Sequence, residues 1–165
     1  MKQNTPIPKT YSHFKQSAVM ILLDNKGRLI LTKRSRKLRS HKGQFSFPGG
    51  KREPTDKDYM ETAIRETEEE IGIKREWVEN IQPLSSSYSP RGFVIHPFIG
   101  YLKDKAIFKK SADEVEKIVR IPFKFFQNTT PTFRIYKIHG VRIRADFYHF
   151  GSHVIWGATA RMISL

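Results

Sequence analysis

Residues 65 to 72 read Arg65-Glu66-Thr67-Glu68-Glu69-Glu70-Ile71-Gly72. They close a segment, Asp56 to Glu70, that lacks glycine and proline and carries apolar or small residues at Tyr59, Ala63, Thr67 and Ile71. A spacing of four puts those positions on one side of a helix. The segment predicts an amphipathic helix of about four turns, stopped at Gly72, a residue suited to the left-handed position beyond a helix end. Glu66 and Glu70 then lie one turn apart and Glu69 three residues after Glu66, so three carboxylates share a face. Each like-charged pair costs an isolated helix a few tenths of a kcal/mol, roughly. A hard divalent cation, Mg2+ or Mn2+, would remove that repulsion. Taken alone, the charge pattern is more simply a solvated face on which Arg65 pairs with Glu69.

Working outward, Phe47-Pro48-Gly49-Gly50 is a breaker cluster that predicts a tight loop. Before it, Lys33 to Ser46 is basic and irregular. Earlier still, Ala18 to Leu23 and Leu29 to Thr32 are apolar runs split by Asp-Asn-Lys-Gly, which predicts a hairpin of two antiparallel strands. Downstream, Phe93 to Leu102 and Val141 to Phe150 have strand-like content. Asp113 to Val119 reads as a short helix ended by Pro122. This order fits a single α/β or α+β domain.

The whole chain has 165 residues, enough for one domain with a substantial core. No apolar run approaches the roughly 18 residues of a membrane-spanning helix, and the first 16 residues hold no apolar signal region. The cytoplasm is the expected compartment. With no cysteine, the chain can have no disulfide, thiolate nucleophile or cysteine-ligated metal. No Gly-x-Ser-x-Gly setting supports a serine nucleophile, and no Gly-x4-Gly-Lys-Ser/Thr or Gly-x-Gly-x-x-Gly loop occurs. The net charge is +14, which suggests an anionic partner. Its distribution is uneven: residues 1 to 50 hold 11 basic residues and one acid, residues 51 to 80 hold 6 and 10, and the rest hold 13 and 5. An acidic island therefore sits in a basic chain.

Gly50, Asp56, Arg65, Glu66, Glu69, Glu70, Gly72 and Ile73 resemble the Nudix box, G-x5-E-x7-R-E-U-x-E-E-x-G-U with U aliphatic. The second half matches closely, with Thr67 in the first aliphatic place. The first half departs: Asp56 replaces Glu, and eight residues separate it from Arg65. The segment Leu31 to Gly50 is similar to the signature of the coenzyme A diphosphatase branch, which also tends to carry the longer spacing. The likeness continues through Pro90-Arg91, Pro97-Phe98, Asp113-Glu114-Val115 and Ile155 to Arg161, covering about residues 15 to 165.

The resemblance implies a Nudix fold, an α/β/α sandwich around a mixed β-sheet, formed by residues 15–165 behind an N-terminal extension, 1–14. It implies hydrolysis of a nucleoside diphosphate linkage with Mg2+ or Mn2+. Glu66 and Glu70 are the implied metal ligands, Glu69 a further ligand or water-orienting group, and Gly50 a carbonyl donor. Glu66, Glu69 and Glu114 are candidates for the general base, and Asp56 could orient Arg65. Arg34, Arg39 and Lys51 are the implied phosphate contacts, Arg39 foremost. The branch implies coenzyme A or its acyl derivatives as substrate, giving 3′,5′-ADP and 4′-phosphopantetheine, and a homodimer is an expectation by analogy alone. Two alternatives stay open: a Nudix hydrolase of NADH, ADP-ribose, a dinucleoside polyphosphate or a capped RNA 5′ end, and a non-catalytic basic nucleic-acid-binding domain.

Overall fold

The computed structural model describes residues 13–89, 92–138 and 140–164. Most of the expected extension, residues 1–12, and the Pro90-Arg91 pair lie outside these. In chain order the elements are β1 (Lys15–Leu23), β2 (Arg28–Arg34), β3 (Phe45–Ser46), β4 (Gly49–Lys51), α1 (Tyr59–Ile71), β5 (Val78–Pro83) and β6 (Ser87–Ser89). There follow β7 (Phe93–Leu102), β8 (Val115–Pro122), α2 (Phe123–Asn128), β9 (Thr132–Ile138), β10 (Val141–Phe150), β11 (His153–Trp156) and α3 (Gly157–Ile163).

β1 and β2 form the expected antiparallel pair, with Leu22 opposite Ile30. β1 runs parallel to β7 along its whole length, while β4 pairs antiparallel to β1 and β8 to β2. The main sheet is therefore mixed. Its order is β3-β2-β1-β7-β5, and β11-β10-β9 form a second, three-stranded sheet. Alternation along β1 and β2 builds two cores. Ala18, Met20, Leu22 and Ile30 face α1, packing on Ala63 and Ile71. Ile21, Leu29 and Leu31 point the other way, toward Phe126 of α2, Ala160 and Met162 of α3, and Tyr148 and Ile155 of the second sheet. Helices thus cover both faces of a sheet whose central strands are apolar on both sides.

Three expectations are corrected. The helix begins at Tyr59, three residues after Asp56, because Asp58 has extended backbone and its carboxylate accepts from Glu61 N–H. The residues after the Pro48 breaker do not all stay in a loop, since Gly49–Lys51 adds a short strand to β1. The segment after Asp113 is no helix: Val115–Pro122 is β8. Its β-branched Val115, Val119 and Ile121 are buried, and its pairing with β2 satisfies the backbone across the sheet. No helix among the described residues is long and apolar enough to cross a membrane.

Candidate active site

The site is built on the C-terminal half of α1 and the strand before it. Asp56, only 4% exposed, accepts from Glu53 N–H at 2.9 Å and from Thr62 Oγ1 at 2.9 Å. Its two carboxylate oxygens take a forked pair of bonds from Arg65, Nε at 2.9 Å and Nη2 at 3.0 Å. That guanidinium, aided by the Glu53 and Thr62 bonds, overrides burial and holds Asp56 well below the usual carboxylate range. Asp56 in turn holds Arg65 above its ordinary value. The pair forms despite the eight-residue gap, because Asp56 sits in the turn before the helix. Arg65 also donates from Nη2 to Lys51 O at 3.1 Å, clamping α1 to β4.

The other arm of Arg65 meets the acidic face. Nη1 lies 3.2 Å from Glu66 Oε1 and 3.0 Å from Glu69 Oε2. Glu69 is exposed and Glu66 half-buried. Burial raises Glu66 above the ordinary value; Arg65 opposes this, and the charges of Glu69 and Glu114 add to it. Glu70, 4% exposed, is more extreme: burial pushes its carboxyl up to about 8, opposed by Arg34 and the Gly49 N–H and assisted by Glu66 and Glu114. Glu114 thus belongs electrostatically to the cluster, and its backbone carbonyl accepts from Ser35 N–H at 2.8 Å.

Whether these groups suit a divalent cation can be judged from their donors. Glu70 Oε2 is buried with no hydrogen-bond partner among the described residues. Gly50 lies against Glu66 so closely that an added Cβ would stand 2.6 Å from Oε2. Hard carboxylate oxygens, mutually repelling and one of them unpartnered, fit Mg2+ or Mn2+. Among the described residues no three acidic or histidine side chains already converge as a ligand set; Glu66 and Glu69 turn instead to Arg65.

The basic residues separate. Arg34 Nη1 stands 3.7 Å from Glu70 Oε1, and its Nε is buried without a partner among the described residues. Arg34 and Lys51 both line a cavity of about 460 Å³ that also reaches Gly49 and Gly50. Arg39 is exposed on the β2–β3 loop. Its neighbours Ser40 and His41 line the cavity, whereas Arg39 itself does not. The sequence reading missed Tyr136, Ile143, Arg144 and Met162 in the cavity wall. Nothing in their local pattern marks them, because the second sheet places the first three and α3 places Met162. Trp156 and Arg161, also in the wall, lay within the Ile155–Arg161 likeness.

A mixed sheet lies between helices, and the carboxylate-bearing helix α1 is clamped to the Gly-Gly strand β4. The NUDIX domain model matches residues 13–126, and the chain belongs to the Nudix family. It is a Nudix hydrolase, acting on phosphoric anhydrides. It is 34% identical over 165 residues to the uncharacterized Nudix hydrolase NudL of Photorhabdus laumondii, covering 98% of this chain and 88% of that one. The structure is similar to DR0079 of Deinococcus radiodurans, with TM-score 0.62, 14% identity and coverage of 96% and 86%. It is also similar to the NUDIX domain of Shewanella oneidensis NrtR complexed with ADP ribose, with TM-score 0.57, 16% identity and coverage of 75% and 82%.

Proposed function

We propose that the chain hydrolyses the diphosphate of coenzyme A or an acyl-coenzyme A, releasing 3′,5′-ADP and 4′-phosphopantetheine or its acyl derivative. The observation that carries this reading is where the signature segment goes. The stretch Leu31 to Gly50, whose likeness to the coenzyme A diphosphatase branch is the most specific in the chain, walls the cavity at Arg34, His41, Gln44 and Phe45 to Phe47 and meets the carboxylates at Gly50. The same cavity has a cationic rim for phosphate and aromatic side chains for the rest of a large nucleotide.

Glu66, Glu69 and Glu70, with the Gly50 carbonyl, are the groups that would hold Mg2+ or Mn2+. Such a cation, when bound, offsets diphosphate charge and makes its water more acidic. Asp56 fixes the plane of Arg65, and Arg65 fixes Glu66 and Glu69. Arg34, which faces Glu70 and whose Nε has no hydrogen-bond partner among the described residues, and Lys51 bind the phosphates. The proton of the attacking water passes to a carboxylate of the cluster, with Glu66, Glu69 and Glu114 the candidates.

The test is a comparison of kcat/KM for coenzyme A, NADH, ADP-ribose, a dinucleoside tetraphosphate and capped RNA, each with Mg2+ and Mn2+. Coenzyme A species should lead. A tenfold lead for another substrate would transfer the site to it, and tight, salt-sensitive RNA binding with no hydrolysis at all would make the chain a binding domain.

A further inference from the structure

The cavity wall extends well beyond Arg34, Lys51 and the Gly49–Gly50 backbone. On one side the cavity is bounded by strands of the main sheet, including Phe93 and Ile95 of β7; on the other it is bounded by the β9–β10 hairpin. In that hairpin Tyr136 stands opposite Ile143, and Ile138 opposite Val141. Directly opposed residues point to the same face of a sheet, so the four side chains form one apolar strip with Ala145, two residues on from Ile143. Tyr136, Ile138, Ile143 and Ala145 line the cavity. Val141 carries the strip out into solvent, 61% exposed. From Ala145 to Val141 it runs about 13 Å, at roughly 3.3 Å per residue.

An exposed apolar surface continuous with a pocket is a surface that a ligand covers. What covers this one is set by its chemistry. A nucleobase or a further phosphate needs convergent donors and acceptors, and among the described cavity-lining residues of the hairpin only the Tyr136 hydroxyl and Arg144 offer any. The strip instead matches a long, narrow, apolar group lying along a strand.

We propose that the β9–β10 strip binds an extended apolar substituent of the substrate, remote from the diphosphate. On the coenzyme A reading, on which this inference rests, that substituent is the S-acyl chain. The thioester of a medium-length acyl chain is then preferred to free coenzyme A, because each methylene that leaves water for the strip adds to binding.

The experiment measures kcat/KM for free, acetyl-, octanoyl- and palmitoyl-coenzyme A, with the parent protein and with Val141→Asp and Ile143→Ser. For the parent, the octanoyl thioester should exceed free coenzyme A by about tenfold or more, and the acetyl form should fall between them. Val141→Asp places a charge at an exposed position, so it does not test the core, and it should bring the octanoyl-to-free ratio down toward one; Ile143→Ser should do the same. A parent ratio near one overturns the acyl strip while leaving coenzyme A hydrolysis standing. An unchanged ratio in both variants also overturns it, as does a dimer that Val141→Asp turns to monomer at constant ratio, which would assign the strip to a second copy. Failure to cleave any of the four overturns both readings.

Discussion

Glu70 is a carboxylate in a place that favours its protonated form. In an unfolded chain it titrates near its ordinary 4.5, whereas burial in the folded protein pushes it up to about 8. Between those values the folded state keeps a proton that the unfolded state has released, so stability falls as pH rises through that window and stays low above it. In metal-free buffer, Glu70→Gln should flatten the fall in Tm between pH 5 and pH 8; a variant whose Tm declines in parallel with the parent's would refute this. Asp56 has the opposite sign. Arg65 holds it below the ordinary 3.8, so its contribution is complete at neutral pH and disappears as pH falls through the acid range. Asp56→Asn removes one partner of a largely buried pair and should cost about 3 kcal/mol in urea unfolding; a loss under about 1 kcal/mol would contradict the pairing. The three glutamates were legible as a shared face because helical spacing needs only the sequence. The unpartnered oxygen of Glu70 was not, since it depends on what the sheet and Arg34 bring against it.

At the scale of elements, α1 and β4 meet where neither has room to spare. A Cβ added at Gly50 would run into the Glu66 carboxylate, and Arg65 ties the helix to the Lys51 carbonyl. Gly50→Ala should therefore displace Glu66 and lower kcat by about a hundredfold, the effect expected of a displacement near 1 Å, with far-UV circular dichroism unchanged. Activity within threefold of the parent would show that Glu66 tolerates the move. Strands whose apolar runs are long and bounded by turns, such as β1, β2, β7 and β10, could be read from the chain. β8 could not, because Asp113-Glu114 ahead of a mixed apolar and charged run that ends at Pro122 imitates a short helix until β2 supplies a pairing partner. β9 escaped notice for a related reason. Apart from its last residue it is exposed throughout, so no alternation of buried and solvent faces marks it.

Over the whole molecule, the +14 charge has a direction as well as a size. Half of the acidic island's ten carboxylates sit on one helix, and the basic excess flanks the island on both sides along the chain. Such a field should draw in an anionic substrate and weaken as salt shortens its reach. kcat/KM for the preferred diphosphate should fall several-fold between about 0.01 and 0.15 M ionic strength, where the screening length drops from roughly 30 to 8 Å. Independence of salt would leave the charge without this role. The residue pattern alone reached a single α/β or α+β domain, and the α/β/α layering came with the Nudix resemblance, because the cover on the two faces of β1 and β2 comes from segments far apart in the chain. The cavity was not legible, since it is closed by a second sheet distant in sequence from the carboxylates. These carboxylates and this cavity are proposed to cleave the diphosphate of coenzyme A together. Incubation with coenzyme A and Mg2+ or Mn2+, with the products separated by chromatography, tests it most directly. The expected result is 3′,5′-ADP and 4′-phosphopantetheine in equal amounts; no 3′,5′-ADP under either metal would contradict it.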